Sequence, residues 1–171
     1  MSLCYHINIP LFLLLSFLLF FCCKVFSQPR ETETKKLENF EKLIGGKWYN
    51  GNTYQIYEWG LDNKSVKGKS YKVNEEGDLL ISEGMWFLHP GDQQVKGYFF
   101  AVNMPVTFFD YTTRFEENKI VSDLSAYTKN GAMQNYIEVL EFVDENKYLL
   151  SLNQDSDKGL VTLMQSEFVR K

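Results

Sequence analysis

The sequence has little of the chemistry on which most metal, thiol and haem sites depend. Its 171 residues include three cysteines and two histidines. Cys4, Cys22 and Cys23 all precede residue 24, so a domain formed by the rest of the chain has neither a disulfide nor a thiol nucleophile. His89 is the only histidine after His6, whereas histidine-based metal sites usually need at least two. We therefore expect no bound metal and no cofactor.

Clusters of basic residues are also lacking. The net charge is -4, and a surface that binds nucleic acid needs grouped lysines and arginines. The nearest approach to a cluster is Lys64, Lys67, Lys69 and Lys72, which lacks the arginines of a nucleic-acid groove. This set is typical of a solvated strand face, and we expect no nucleic-acid partner.

Catalytic signatures are absent as well. The motifs G-x-S-x-G, H-E-x-x-H and C-x-x-C do not occur. Residues 63–70 (NKSVKGKS) nearly match a phosphate-binding loop, but asparagine replaces the first glycine and a strand pattern follows where a helix is required. The sequence therefore favours a binding protein over an enzyme.

A long apolar run is confined to the N-terminus. Residues 9–23 carry no charge and suit the core of a secretory signal, although residues 1–8 contain no lysine or arginine. Val25 and Ser27 are small enough for the -3 and -1 positions of a cleavage site. We expect a signal peptide over 1–27 and an exported protein, periplasmic or extracellular, with no stable membrane span after cleavage. An uncleaved anchor is the alternative.

The remaining sequence predicts one β-rich domain behind a tether. Residues 28–36 are polar and lack periodicity, which is typical of a flexible segment. Apolar residues at helical spacing predict a short amphipathic helix over 35–44, ended by Gly45-Gly46, and the folded domain spans 37–171. Ten strands are predicted, over 47–50, 53–60, 64–74, 78–88, 94–102, 106–116, 119–128, 132–142, 146–154 and 159–170.

The connections between these strands indicate the fold class. They are short and rich in glycine, asparagine and aspartate, which favours consecutive antiparallel hairpins. An open sheet of this kind would leave two exposed edges, and closure removes them. We expect an all-β, closed, up-and-down antiparallel barrel of about eight to ten strands with a short N-terminal helix. A two-sheet sandwich remains the structural alternative.

Short aromatic motifs carry a resemblance to a known family. Residues 43–48 (LIGGKW) resemble the start of lipocalin-like, or calycin, barrels, in which Gly-x-Trp follows a short helix. Residues 57–59 (YEW), 66–70 (VKGKS) and 86–90 (WFLHP) resemble a group of secreted bacterial lipocalin-like domains of unknown function. The resemblance covers about residues 37–171.

The resemblance implies a barrel of eight or ten strands that encloses a cavity and is closed at one end by the helix. In this family the motif tryptophan, here Trp48, is structural and packs across the barrel floor. The family also includes haem-binding barrels, whose iron ligand is a histidine near the C-terminal end. No histidine follows His89 in this chain, which argues against haem binding.

The aromatic content of 16% indicates what such an interior would contain. Because side chains alternate along a strand, one parity of each run lines the interior. We predict a ligand-binding wall of aromatic residues with a polar handle from Glu58 or Arg114; its members are Tyr57, Glu58, Trp59, Tyr98, Phe109, Tyr111, Arg114 and Tyr136. Glu83 and Glu138 are further charged residues within strands. If Arg114 faces inward, it must pair with one of the carboxylates.

Three functions remain open at this point. The leading hypothesis is a secreted barrel that binds a small apolar or aromatic ligand without covalent catalysis. The second is an enzyme, an isomerase or hydrolase, that uses carboxylates and tyrosines in the same cavity. The third is a structural or interaction module whose barrel is packed solid. The sequence specifies neither the ligand nor the oligomeric state.

Overall fold

The computed structural model describes residues 36–157 and 159–171, in which ten antiparallel strands close into a barrel. Each strand pairs with the next along the chain, and the first pairs with the last. The predicted all-β up-and-down barrel is thus confirmed, and the sandwich alternative is wrong. The strands are β1 (Trp48–Asn50), β2 (Thr53–Trp59), β3 (Ser65–Lys72), β4 (Leu79–Leu88), β5 (Val95–Ala101), β6 (Val106–Glu116), β7 (Lys119–Thr128), β8 (Met133–Asp144), β9 (Lys147–Ser156) and β10 (Gly159–Arg170).

The alternation of burial along the strands shows which side chains face the interior. In β5 every second residue from Val95 to Ala101 is buried, whereas Phe100 between them is 55% exposed. Residues directly opposite each other on paired strands point to the same face of the sheet. The partners of Val95, Gly97, Phe99 and Ala101 on β4 and β6 therefore also face the interior, and the same step can be repeated from strand to strand around the barrel. The inward face of every strand can therefore be assigned from the one beside it.

A short helix closes one end of the barrel. The cap helix, as we call the 3-10 helix Glu38–Leu43, occupies the part of the chain where a longer amphipathic helix over 35–44 was predicted. Its Phe40 ring lies 5.1 Å from the rings of Trp86 and Phe115, measured between centroids. Gly45 and Gly46 follow with φ of 84° and 70°, which turns the chain into β1 as the sequence predicted.

Trp48 forms part of the floor beneath the cap helix. It is fully buried, and its indole N–H donates to the Leu43 carbonyl oxygen at 2.8 Å. The Tyr148 ring lies 4.8 Å from the Trp48 ring, and the guanidinium of Arg170 lies 4.3 Å from it. Tyr148 in turn stacks on Phe168. This end of the barrel is therefore filled by aromatic rings, as the resemblance implied for Trp48.

Three glycines in neighbouring strands provide room for two of the interior rings. A Cβ atom on Gly84 would lie 2.6 Å from the Phe99 ring, and one on Gly68 would lie 2.8 Å from it. A Cβ atom on Gly97 would lie 2.5 Å from the Trp86 ring. A glycine within a strand often marks the close approach of another group, and for Gly68 that group is Phe99.

The architecture is consistent with a lipocalin-like fold. The predicted signal peptide, 1–27, and all of the tether, 28–36, except its last residue lie outside the described residues. Among the residues that are described, no helix combines the length and the apolar character needed to cross a membrane.

Candidate functional site: a carboxyl–tyrosine cluster inside the barrel

Five of the eight predicted wall residues face the interior. Tyr57 and Tyr111 are buried, at 5% and 7% exposure. Trp59, Phe109 and Tyr136 lie on the same inward parity, and they are half-buried and pack against the core. The structure thus brings together most of the predicted aromatic wall.

The other three predicted wall residues lie on the outer surface, which corrects their expected placement. Arg114 is exposed and forms ion pairs with Glu116 at 3.1 Å and Asp123 at 3.2 Å. Because Tyr111 faces inward, strand alternation turns Arg114, three positions later, to the opposite face. The expected polar handle from Arg114 is therefore not part of the interior.

Glu58 and Tyr98 are misplaced for the same physical reason. Glu58 is exposed because it follows the inward-facing Tyr57. Tyr98 alternates with the buried Phe99 and packs on the outer surface, its ring 5.9 Å from that of Phe100. Glu83, opposite Lys69 in the register, is exposed as well.

Glu138 is the carboxyl that the structure places inside the barrel. On β8 it pairs laterally with Ser122 of β7 and Leu152 of β9, both on the inward face. Among the described residues, no hydrogen bond or ion pair reaches its carboxyl group. Burial raises the pKa of Glu138 from its ordinary 4.5 to about 7, because a charge removed from water without a partner is disfavoured.

Three tyrosines and one glutamine lie around this carboxyl. Gln55 Oε1 accepts hydrogen bonds from the Tyr57 hydroxyl at 2.7 Å and from the Tyr148 hydroxyl at 2.6 Å. Burial, and secondarily the charge of Glu138, raises the pKa of the Tyr111 hydroxyl. We name Gln55, Tyr57, Tyr111, Glu138 and Tyr148 the carboxyl–tyrosine cluster.

The same electrostatic coupling joins the other two tyrosines to Glu138. Burial is the main cause that raises the pKa of Tyr57, and the Glu138 charge adds to it. Burial also raises the pKa of Tyr148, again with a contribution from Glu138. At neutral pH the phenols are therefore neutral, and Glu138 is the member of the cluster whose charge can change.

A buried hydroxyl pair adjoins the cluster. Thr113 Oγ1 and Ser122 Oγ share a hydrogen bond of 2.9 Å, and both side chains are almost fully buried. Because Ser122 is directly opposite Glu138 in the register, this pair forms part of the floor next to the carboxyl. This bond uses one of the two hydroxyl protons.

The cluster lies between a packed floor and a less filled part of the interior. On the side of the cap helix, Trp48, Tyr148 and Leu140 are almost completely buried. Gln55, Glu138 and Leu152 face inward yet keep accessible surface. These inward side chains are therefore less completely covered than those of the floor.

Strand alternation alone does not identify Glu138. It was noted as a charge within a strand, but it was not placed in the wall. Its alternate neighbours Leu140 and Phe142 are apolar, but Ile137 and Val139 make the other parity apolar as well, so alternation does not choose the inward face. Gln55, by contrast, shares its parity with Tyr57.

Metal chemistry has little support in the described ranges. They contain no group of three or more histidine, cysteine, aspartate or glutamate side chains arranged to hold a metal ion. His89 lies exposed in the β4–β5 turn, where its Nδ1 is 3.1 Å from a carboxylate oxygen of Asp92.

No protein-family model matches the chain, and no curated protein matches it either.

Proposed function

We propose that this protein binds a small, largely apolar molecule inside its barrel, without covalent catalysis. The observation that carries this proposal is the inward-facing region above the floor, where Glu138 and its neighbours keep accessible surface among aromatic rings. Small-molecule sites are typically concave and apolar with a few polar groups that fix orientation. The interior has this composition.

Glu138 argues against a barrel that serves only as a structural module. A solid core gains nothing from a carboxyl group without a partner, because burial of such a group costs several kcal/mol in its charged form. An apolar residue of similar size would give a more stable protein. A carboxyl group kept at this position is better explained by a contact with a bound molecule.

The proposal includes export. The uncharged apolar run at 9–23, followed by Val25 and Ser27, supports a cleaved signal peptide. The domain would then act in the periplasm or outside the cell, as an exported member of the lipocalin-like group that its aromatic motifs resemble. A carrier for apolar molecules is useful in such compartments because these molecules dissolve poorly in water.

Fluorescence quenching tests whether the interior binds a ligand. We expect the neutral dye N-phenyl-naphthylamine to bind saturably, with one dye per barrel, and to quench tryptophan emission. The Trp59→Phe variant should lose part of that quenching, because Trp59 faces the interior and is only half-buried. Trp48→Phe, which alters the buried floor, should keep it.

Two results would contradict the proposal. Absence of saturable dye binding would mean that the interior is closed to ligands. Loss of quenching in Trp48→Phe but not in Trp59→Phe would place the dye elsewhere.

Native mass spectrometry of the protein from its own source adds a direct search for a small molecule that co-purifies in a stoichiometric ratio.

A second candidate function rests on the same carboxyl group. A carboxyl whose pKa is about 7 can both accept and donate protons near neutral pH, as general acid–base catalysis requires. An isomerase or hydrolase would convert the co-purified molecule when it is added back to the protein. Recovery of that molecule unchanged supports a carrier, and conversion that disappears in Glu138→Gln supports the enzyme.

A further inference from the structure

The charges inside the barrel limit the chemistry of a ligand. Between the two rims, the inward positions of the described strands carry one carboxyl group, that of Glu138, and no lysine, arginine or histidine. Lys72 and Arg170 share the inward parity only at the rims. Lys72 is exposed at the end opposite the cap helix, and Arg170 lies over the Trp48 ring at the capped end. An ionised Glu138 therefore has no countercharge among these inward positions.

The hydrogen bonds of the cluster point in the same direction. The hydroxyl protons of Tyr57 and Tyr148 are both donated to Gln55 Oε1. The two hydroxyls also bond to each other, and Tyr148 is fully buried, so the acceptor that remains for a ligand is an ionised Glu138. A ligand that brings N–H donors complements this carboxylate. A carboxylate or phosphate would meet a negative charge without a protein cation.

The aromatic rings next to the cluster make its surroundings apolar. The Trp86 ring lies 6.1 Å from that of Tyr57 and 5.9 Å from that of Tyr111. Trp86 is almost fully buried, with the rings of Phe40 and Phe99 also packed against it, so it backs the site. Phe109 and Leu152, half-buried on the inward face, provide apolar contact for the rest of the molecule.

We propose that the ligand is a protonated amine with an apolar body, and that its ammonium group pairs with the Glu138 carboxylate inside the carboxyl–tyrosine cluster. This inference rests on the proposed function and specifies the class of ligand. It requires only that Glu138 is ionised when the amine binds. Neutral and anionic molecules of the same shape gain no such pairing and bind more weakly.

The pairing makes binding of an amine depend on pH. The titratable groups that face Glu138 are Tyr57, Tyr111 and Tyr148, and burial keeps these phenols neutral. With a pKa of about 7, Glu138 is roughly 90% ionised at pH 8 and roughly 10% ionised at pH 6. The affinity for an amine should therefore fall about tenfold over this range. The affinity for a neutral analogue should change little.

Three probes with one apolar body test the inference. Naphthylmethylamine, naphthylmethanol and naphthoate differ chiefly in the charge of the polar group, and their affinities can be measured by calorimetry at about pH 8. We expect the amine to bind about tenfold or more tighter than the alcohol, and the acid to bind most weakly. Glu138→Gln should remove the advantage of the amine and leave the alcohol unchanged. Glu58→Gln, the same substitution on the exposed face of β2, should preserve the order.

The outcomes separate the two proposals. If the alcohol or the acid binds as tightly as the amine, the inference about the amine is wrong and the binding function stands. If neither these probes nor N-phenyl-naphthylamine binds, both proposals are wrong. If Glu138→Gln does not fold, as judged by circular dichroism, the parent decides the question alone. Equal affinity for the amine at about pH 6 and pH 8 would then overturn the inference.

Discussion

Replacing Glu138 with glutamine should make the ligand-free barrel more stable above neutral pH. The folded state raises the pKa of Glu138 from 4.5 to about 7, so it holds this proton more tightly than the unfolded chain does. The contribution of Glu138 to stability is therefore fully present below about pH 4.5 and is lost as the pH rises through about 7. At about 1.4 kcal/mol per pKa unit, the loss is about 3 kcal/mol.

Glutamine has nearly the same shape and does not titrate, so the variant escapes this loss. We expect the free energy of unfolding of Glu138→Gln to exceed that of the parent by up to about 3 kcal/mol at about pH 8.5. At about pH 4.5 the two proteins should differ by less than about 1 kcal/mol. Urea denaturation followed by tryptophan fluorescence, on protein freed of ligand by dialysis, measures the difference at each pH.

The matched control is Glu58→Gln, which changes an exposed glutamate on the outer face of β2. Its stability difference from the parent should stay within about 0.5 kcal/mol at both pH values. If the difference between Glu138→Gln and the parent is independent of pH, Glu138 is not desolvated in the folded protein. The assignment of the interior site would then lose its chemical basis.

Three further predictions concern the floor, the glycine-lined wall and the N-terminus. Trp48→Ala should lower the free energy of unfolding by about 3–5 kcal/mol, because it removes a fully buried ring, and an unchanged thermal transition would mean that the floor does not depend on it. Gly97→Ala should destabilise by about 1–3 kcal/mol, since its Cβ would lie 2.5 Å from the Trp86 ring. Gly91→Ala, in an exposed turn, is its control and should cost less than about 0.5 kcal/mol. N-terminal sequencing of exported protein should begin at or near Gln28, whereas a start at Met1 would contradict cleavage.

Alternation predicted the interior well where one parity was clearly aromatic. In β2, Tyr57 and Trp59 were both expected in the wall, and the structure places both inward, with Gln55 on the same face. Hairpin turns between short strands likewise predicted ten strands and a closed barrel. Both predictions depend on local sequence, since strand period and turn chemistry are properties of a few neighbouring residues.

Alternation alone failed where both faces of a strand carry similar residues. In β5, Tyr98, Phe99 and Phe100 follow one another, and the sequence gives no reason to choose Phe99 as the inward residue. The choice is made by Gly84 on the neighbouring β4 and Gly68 on β3 beyond it, whose lack of side chains provides space for that ring. Such information lies in cross-strand pairs, which are distant in the sequence.

The polar group of the interior was missed for a related reason. Arg114 and Tyr111 were both expected in the wall, although their spacing places them on opposite faces of one strand. Outside the barrel, Arg114 pairs with Glu116 and Asp123, which satisfies its charge at the surface. A charge within a strand usually faces solvent, and Glu138 departs from that rule, which is the reason to regard it as functional.

Titration of the Glu138 carboxyl by NMR tests the central claim most directly. With side-chain carboxyl carbons of glutamate labelled with carbon-13, the Glu138 signal is identified by its absence in Glu138→Gln. We expect this signal to titrate near pH 7 in the free protein, and at a clearly lower pH when naphthylmethylamine is bound in excess, because the ammonium group favours the ionised carboxyl. A Glu138 signal that titrates near its ordinary 4.5 in the free protein, or that is unchanged by the amine, would contradict the account.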